Sequence, residues 1–359
     1  MAGLMTDVYT YDALANKYGN FHIPAIRLYI NGSELNQEMS QNIIDVEISL
    51  SLSAANTAVI RIDGNYDREK RSFDSKIVKK FKLGTIIEVG IGYGSEVKKV
   101  LKGFVALLSV EFGQQPCLVV TIMDARRLMM CSGVHQVLHD VKNYSDAVKK
   151  ILANYSKLCK AEIDATKDNL QAPISQNSTD YDFIANELAS SGRVGREFFV
   201  LADTAYFRKP RKEKRPMMKM EFGRELQNFQ IENGYLDLKI EVSGYNQQEQ
   251  KPISAIAVAK TKEPQSSIFS KTPVSCISDA GADTQERAKT RAQALADNML
   301  TSSQNGRGTC IGLPEIVPGR YLEVAKLEEM VNKKYYVTSV RHSLNQNFFQ
   351  TEFEIGGWI

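Results

Sequence analysis

The sequence contains few of the residues that build metal centres, disulfide frameworks and hydrolytic sites. Its 359 residues include five cysteines, four histidines and one tryptophan. The cysteine count is odd and no two cysteines have CxxC spacing, which argues against a disulfide framework or a zinc ribbon. We therefore expect reduced thiols and a protein that is made in the cytoplasm.

The sequence also lacks long apolar runs and a strong net charge. No stretch approaches the ~20 apolar residues that a membrane-spanning helix needs, and residues 1–20 lack the basic start and apolar run of a secretory signal. We therefore expect no membrane span and no signal peptide. The net charge of +3 and the pI near 8.4 are too mild to predict nucleic-acid binding.

Motifs of known enzyme classes are missing as well, since no GxSxG, HExxH or P-loop pattern occurs. Gly90, Gly92 and Gly94 lie between strand-like runs, which favours a hairpin turn over a phosphate loop. His135 and His139 are four residues apart, but the absence of apolar periodicity around them favours a surface loop over a metal-binding helix. We predict no catalytic, cofactor-binding or metal site, and no enzymatic activity.

The stretch from Gly84 to Asp124 occurs a second time near the C-terminus. Both copies contain three strand-like runs separated by turn-rich breaks, and the first loop is three residues shorter in the second copy. The matched residues are Gly84 and Gly319, Glu88 and Glu323, Val89 and Val324, Phe104 and Tyr336, Val105 and Val337, Leu108 and Val340, and Phe112 and Leu344. Internal similarity at this long period predicts one structural unit that is used twice.

Alternating residues predict that these units are antiparallel β-structures. From Ile44 to Leu52, apolar residues alternate with Asp, Glu and Ser, which is typical of a strand with one buried face. Further strand-like runs make residues 24–137 a five- to six-stranded domain, either a small barrel or a sandwich. Helical spacing after Ser145, a candidate N-cap, and again from Ser178 to Ser191 predicts an α+β domain over residues 138–207.

Residues 208–359 are predicted to form a second β-domain. Residues 258–282 are rich in Ser, Thr, Lys and Pro and predict a long excursion or a linker. Asp283 is followed by Glu286 three residues later, a capping-box pattern that predicts a helix over residues 283–300. Residues 1–23 show no periodicity and predict an irregular N-terminal arm.

Two local features suggest functional hypotheses. The run from Arg208 to Arg215 holds six basic residues, and it is either a solvated hairpin loop or a contact for an acidic partner or nucleic acid. Tyr335 and Tyr336 share a predicted strand with Val337, which favours packing in a core or between subunits over stacking on a ligand.

Several ordered segments together resemble one known family. They are IIDVEISLSLSAANTAVIRI, FKLGTIIEVGIGYG, NSTDYDFIANELA, KIEVSGYNQQEQKPISA, and PGRYLEVA followed by KYYVTSVRHSLNQNFFQTEFEI. The series, which spans residues 24–356, resembles the phage late control D family. Proteins of that family are baseplate hubs of contractile tails and are similar to the N-terminal half of type VI secretion VgrG proteins.

The resemblance implies a homotrimeric hub whose chains each carry two tube-like β-barrel domains. Three copies then present six similar units, which joins a six-fold inner tube to a three-fold spike in a phage tail, a tailocin or another contractile injection system. Because the sequence ends at Ile359, directly after the second unit, the implied spike is a separate protein. The other implied partners are the inner tube protein and further baseplate components, with nucleic acid only as translocated cargo. The implied location is a particle assembled from protein made in the bacterial cytoplasm.

Two other functions stay open on the residues alone. A tail-associated peptidoglycan hydrolase would need a carboxylate or histidine cluster that forms only in three dimensions. A carbohydrate-binding β-protein would be a monomer with an aromatic groove, and the single Trp358 adds little support for one.

Overall fold

The computed structural model describes residues 3–132, 135–170, 172–190, 193–261 and 265–358. The strands are β1 (Pro24–Ile30), β2 (Ser33–Glu34), β3 (Ile43–Ser51), β4 (Thr57–Asp63), β5 (Ile86–Tyr93), β6 (Glu96–Glu111), β7 (Cys117–Met123), β8 (Gln136–Leu138), β9 (Lys160–Ile163), β10 (Ile174–Gln176), β11 (Glu197–Leu201), β12 (Thr204–Arg208), β13 (Pro216–Glu221), β14 (Leu226–Asn233), β15 (Asp237–Asn246), β16 (Lys251–Lys260), β17 (Val274–Ser278), β18 (Gln304–Ile311), β19 (Tyr321–Ala325), β20 (Lys334–Asn345) and β21 (Phe349–Trp358). The helices are α1 (Gly3–Thr6), α2 (Tyr11–Lys17), α3 (Gln37–Ser40), α4 (Ser75–Val78), α5 (Ala125–Met129), α6 (Tyr144–Ala153) and α7 (Gln285–Ser303), with a 3₁₀ turn at Gly19–Phe21 and a π-helix at Asp182–Ser190. The prediction of a mainly β fold is confirmed.

The largest sheet has thirteen strands, arranged as two arrays of six with β2 added to the first. The first array has the order β3-β4-β7-β6-β5-β1, and the second has the order β14-β18-β21-β20-β19-β13. Within the described ranges, none of the four sheets closes into a barrel, so the units predicted as barrels are open arrays in the single chain.

One hydrophobic core runs through both arrays. Val46, Ile48 and Leu50 of β3 face this core and are at most 1% exposed, because successive side chains of a strand point to opposite faces of the sheet. The intervening Asp45 and Glu47 lie on the solvent face. The alternation in the sequence therefore gave the correct buried face of this strand.

The segment predicted as α+β has its own core, formed by α5, α6, the π-helix and the sheet β11-β12-β9. The N-cap of α6 is Asn143 and not the predicted Ser145, because Asn143 Oδ1 accepts the N–H of Asp146 at 2.9 Å. The second predicted helix is the π-helix. Ser191, its predicted last residue, lies outside the described residues.

A third core lies in an insertion between β14 and β18, where the sheet β16-β15-β17 packs against α7. The buried alanines of this insertion are Ala255, Ala257 and Ala259 of β16, Ala282, and Ala288, Ala292 and Ala296 of α7. Small side chains let the helix approach the sheet closely, so the insertion is a compact unit of its own.

Two predictions about the insertion were wrong. Residues 258–282 are not a continuous linker, because β16 extends to Lys260 and residues 274–278 form β17, parallel to β15; residues 262–264 of this stretch lie outside the described part of the chain. The N-cap of α7 is Thr284 and not Asp283. Thr284 Oγ1 accepts the N–H of Arg287 at 3.3 Å, whereas the Asp283 carboxylate pairs with the Arg287 guanidinium at 2.7 Å.

The N-terminal arm is ordered and packs on the second array. The N–H of Tyr9 donates to Met217 O at 2.8 Å. The guanidinium of Arg320, which is fully buried, donates to Leu4 O and Asp7 O at 3.0 Å each. Leu4 and Asp7 therefore supply carbonyl acceptors to the two Nη groups of a buried guanidinium near the end of the chain, while its Nε has no hydrogen-bond partner among the described residues. Among the described helices, none is both long and apolar enough to cross a membrane.

Candidate assembly site

The turns at Gly84 and Gly319 have the same backbone geometry. Both glycines have positive φ, 80° and 85°, a conformation that L-residues with a Cβ adopt at a cost. The matching hydrogen bonds, all 2.9 Å long, run from Gly84 N–H to Val105 O and from Val105 N–H to Thr85 O in the first array, and from Gly319 N–H to Val337 O and from Val337 N–H to Arg320 O in the second. The residues that the sequence comparison paired occupy equivalent positions.

Strand register repeats between the arrays in the same way. The matching cross-strand pairs are Ile86 with Phe104 and Tyr321 with Tyr336, then Glu88 with Lys102 and Glu323 with Lys334. The matching irregularities in the ladders lie at Val105/Leu107 and Val337/Ser339, and at Ile43/Asp45 and Leu226/Asn228. Strands β3, β4, β7, β6 and β5 therefore correspond to β14, β18, β21, β20 and β19.

Substitution of the two turn glycines separates backbone strain from packing. A Cβ on Gly84 would meet no atom within 4 Å, whereas one on Gly319 would lie 2.9 Å from the Phe199 ring. We expect Gly84→Ala to reduce the free energy of unfolding by about 1 kcal/mol through backbone strain alone. Gly319→Ala should reduce it by about 2–4 kcal/mol, since overpacking adds to the strain. Urea unfolding of the two variants measures the difference, and equal losses would contradict this account.

The two arrays join along a continuous ladder between β20 and β3, called here the internal joint. Seven consecutive residue pairs connect the strands antiparallel, from Ser339 with Ser51 to Asn345 with Asp45. The core-facing side chains of β20 in this joint, His342 and Leu344, are 0% and 2% exposed. The joint therefore lies over a face of β20 whose core-facing side chains are buried, while Arg341 and Asn345 on the opposite face are exposed.

The equivalent end of β6 has no strand against it. In the described structure, residues 107–111 pair on one edge only, with β7. Val110 and Phe112, the counterparts of His342 and Leu344, are 47% and 66% exposed. An apolar strand end with one open edge is a template for pairing with another chain.

Strand β14, the counterpart of β3, is likewise an edge strand. Among the described strands it pairs with β18 alone. Its core-facing Phe229 and Ile231 are partly buried, whereas their counterparts Val46 and Ile48 are 1% and 0% exposed. The chain thus contains one paired joint between its arrays. The two strand edges that would form an equivalent second joint, the end of β6 and β14, are both unpaired in the described part of the chain.

A buried polar cluster ties the α+β segment to the second array. Arg208 Nε donates to Glu197 Oε1 at 2.8 Å, and the Tyr336 hydroxyl donates to Glu197 Oε2 at 2.8 Å. Arg208 Nη2 also donates to Gly319 O at 2.7 Å. Burial raises the pKa of Glu197 and that of Tyr336. Tyr336 is 3% exposed, so packing rather than ligand stacking explains this tyrosine.

The basic run from Arg208 to Arg215 is only partly a solvated loop. Besides Arg208, Arg211 lies over the Tyr336 ring and donates to Thr301 Oγ1. Lys212 pairs with Asp164 at 2.7 Å. The exposed cations that remain in the run are Lys209, Lys214 and Arg215. Half of the run therefore serves contacts inside the chain.

The other candidate residues from the sequence lie apart from the open edges of β6 and β14. Gly90 and Gly92 lie inside β5 and Gly94 in the β5–β6 turn, so the predicted hairpin is confirmed. His135 precedes β8 and His139 follows it, and the structure does not place either on a helix. Across the described ranges, no three His, Cys, Asp or Glu side chains form a group that could hold a metal ion.

Sequence reasoning missed the open edge formed by Val110, Phe112 and β14. A signal was present, because the internal repeat already paired Phe112 with Leu344. That pairing does not show how deeply each residue is buried. In the structure Leu344 is 2% exposed, whereas Phe112 contacts the Tyr66 and Phe73 rings but remains 66% exposed.

Comparisons with known proteins give one family match and several solved structures of similar fold. A family model described as the Alg8 N-terminal domain matches residues 21–346, while no curated protein matches the sequence. A tail protein from Neisseria meningitidis MC58 superimposes with a TM-score of 0.68 at 13% identity, over 93% of this chain and 96% of that one. The 43 kDa tail protein of prophage MuSo2 from Shewanella oneidensis gives 0.69 at 12% identity, over 92% and 98%.

An E. coli component of the type VI secretion system, described as structurally similar to the T4 bacteriophage tail proteins gp27 and gp5, gives a TM-score of 0.55 at 11% identity, over 91% of this chain and 76% of that one. Identities this low establish a shared fold and leave function to be argued from the residues. The chain therefore belongs to the Alg8 N-terminal domain family, and it has the fold of phage tail and type VI secretion proteins.

Proposed function

We propose that this protein is a baseplate hub of the late control D type. In this role three copies form a ring that joins a six-fold inner tube to a separate three-fold spike in a contractile injection particle. The role is mechanical and needs no catalytic site. The ring holds the spike on one side and presents a surface for the tube on the other.

The similarity of the two arrays supports the proposal. Their equivalent turns, registers and ladder irregularities are what two copies of one unit would give. Two similar units in each of three chains give six similar positions around a ring, which is what a tube of six-fold symmetry requires. A closed ring of identical chains uses the same heterologous contact at every boundary.

The observation that carries the proposal is that, among the described strands, the end of β6 and the edge strand β14 are both unpaired on one side. Inside the chain, β20 of the second array pairs with β3 of the first. The same joint between neighbouring chains pairs β6 of one copy with β14 of the next. Internal and intermolecular joints then alternate around the ring, and the open strand edges are removed.

Equivalence of the arrays fixes the register of this intermolecular joint. The pairs Arg341–Ser49, His342–Ile48 and Leu344–Val46 of the internal joint correspond to Ser109–Glu232, Val110–Ile231 and Phe112–Phe229. Two of these pairs are apolar and would cover the side chains that are exposed in the single chain. Burial of an apolar side chain of this size contributes about 1.5–3 kcal/mol, so the joint has a substantial driving force.

Cross-linking of paired cysteines tests the joint. The exposed Cys131 and Cys276 are first replaced by serine, and Ser109→Cys is combined with Glu232→Cys. Directly opposite residues have Cβ atoms about 4.5–5.5 Å apart, within reach of a short bismaleimide. We expect a ladder of monomer, dimer and trimer in denaturing gels, with trimer as the largest species.

The matched control combines Ser109→Cys with Lys251→Cys, an exposed residue on the edge strand β16 of the insertion. This pair should give no trimer. A ladder that stops at monomer would contradict the joint. A ladder that continues beyond three chains would contradict closure into a three-fold ring.

A further inference from the structure

The two arrays differ sharply in one connection. Between β4 and β5 of the first array the chain runs through residues 64–84, called here the basic segment. These residues include seven Lys or Arg and three Asp or Glu. The equivalent connection of the second array, residues 312–319, contains one acidic and no basic residue, and all of it is buried.

Local contacts use the acidic groups of the basic segment. Asp67 Oδ1 accepts the backbone N–H groups of Glu69 and Lys70 at 2.9 and 3.0 Å, and Asp67 Oδ2 pairs with Lys70 Nζ at 3.0 Å. Asp74 caps α4 by accepting the N–H of Lys76 at 2.8 Å. Two of the three acidic groups, those of Asp67 and Asp74, are thereby engaged in holding the backbone of the turn.

Five cations of the basic segment are exposed, and in the described structure no carboxylate lies within 4 Å of any of them: Arg71, Lys76, Lys79, Lys80 and Lys82. Their backbone is fixed, because Ile77 and Phe81 are 3% and 1% exposed in the main core. Like charges held near one another in this way repel, as like-charge pairs do on a helix surface. A partner of opposite charge would relieve that repulsion.

An apolar side chain lies beside these cations. Leu83 follows Lys82 directly and is 66% exposed. Apolar anchors with charged residues around them are typical of protein–protein interfaces. The net charge of this chain is +3, which makes a second copy a poorer source of an acidic surface than a protein of opposite net charge.

We infer that the basic segment binds an acidic surface of a different protein of the particle. Because the second array lacks the segment, the site occurs once per chain. If three chains form the proposed ring, on which this count rests, the site occurs three times, at every second of the six similar positions. The basic segment thus provides three-fold attachment on a body that otherwise offers six similar units.

Carboxyl–amine cross-linking in assembled particles tests this inference. Particles made from the complete set of tail genes are treated with a carbodiimide, which joins a lysine amine directly to a carboxylate that it contacts. We expect peptides in which Lys76, Lys79, Lys80 or Lys82 is joined to an Asp or Glu of another protein. The exposed control lysines Lys149, Lys157, Lys271 and Lys289 should give at least ~10-fold fewer such peptides.

Charge reversal is a second test of the inference. A variant with Lys76→Glu, Lys79→Glu, Lys80→Glu and Lys82→Glu should form the same trimer as the natural chain but enter particles at least ~10-fold less often. The control with glutamate at Lys149, Lys157, Lys271 and Lys289 should enter normally. Normal entry of the first variant, or cross-links within one chain only, would overturn the inference.

Two further outcomes are distinct from these. If the purified natural chain retards a 30-base-pair DNA duplex at 150 mM salt and the first variant does not, the ligand is nucleic acid and the acidic protein is excluded. If the natural chain is itself a monomer, the proposed ring fails, and a cross-link from the basic segment to another protein would still stand.

Discussion

The Val110→Lys variant is expected to be a folded monomer. Val110 is 47% exposed in the single chain, so a lysine there leaves the chain's own core intact. In the proposed intermolecular joint the lysine would face Ile231 of the neighbouring copy, where its charge has no partner. A buried charge without a partner costs about 3–5 kcal/mol, and a charged side chain on an edge strand blocks strand addition. Ring formation should weaken at least ~100-fold, since ~2.8 kcal/mol already accounts for that factor.

Light scattering after size exclusion, over a range of protein concentrations, measures the effect. Val274→Lys is the matched control, because Val274 is 45% exposed on β17 of the insertion and outside the joint. The control should retain the mass of the natural chain. A trimeric Val110→Lys protein, or a control that dissociates equally, would contradict the assignment of this edge.

Acid is expected to destabilise the chain through His342, at the centre of the internal joint. Its Nδ1 lies 2.9 Å from Thr351 Oγ1, and that oxygen accepts the N–H of Leu313 at 3.0 Å. The Thr351 hydroxyl hydrogen can therefore point to Nδ1, which suits a neutral imidazole. Burial lowers the pKa of His342 from 6.5 to about 3, because the protonated ring is poorly solvated there.

The sign of the effect follows from the two pKa values. The unfolded chain binds the proton below pH 6.5, while the folded chain stays neutral down to about pH 3. The contribution of the neutral ring to stability is therefore complete above pH 6.5 and is lost as the pH falls. The loss approaches about 1.4 kcal/mol per pH unit well below pH 6.5 and amounts to about 2.3 kcal/mol between pH 6.5 and 4.5.

Urea unfolding of the natural chain and of His342→Asn across this range isolates the histidine from the carboxylates, which titrate in both proteins. Asparagine keeps a polar atom toward Thr351 and has no proton to gain. The natural chain should lose about 2–3 kcal/mol more than the variant between pH 6.5 and 4.5. Parallel curves would show that His342 is not buried in its neutral form.

Local pattern was enough to predict the strands and the repeat. The alternation from Ile44 to Leu52 is a consequence of burial on one face, and it identified β3 without any partner. Gly84 and Gly319 were recognisable because a turn with positive φ restricts the residue to glycine or a close substitute. Features that depend on a few neighbouring residues can be recognised in one sequence.

The joints and the functional surfaces depend on residues far apart in the chain. β20 pairs with β3 across almost 300 positions, and no periodicity in either strand specifies that partner. The run from Arg208 to Arg215 has the densest basic composition, yet Arg208 and Arg211 are used in internal contacts. The basic segment is less dense, but its cations are left at the surface. Composition measures how many charges a stretch holds, and only the fold determines which of them are already neutralised.

The insertion between β14 and β18 begins and ends at one rung of the ladder. Asn233 pairs with Gln304, and the N–H of Gly234 donates to Ser303 O at 2.7 Å. In the first array a five-residue turn, residues 52–56, closes the equivalent hairpin. Exchange of the residues between these two strands would therefore leave the register of the array in place, but it would remove the contact of Arg211 with Thr301 of α7. The hairpin is a site at which another domain can be inserted. An enzyme or binding module inserted there would be present once on every chain.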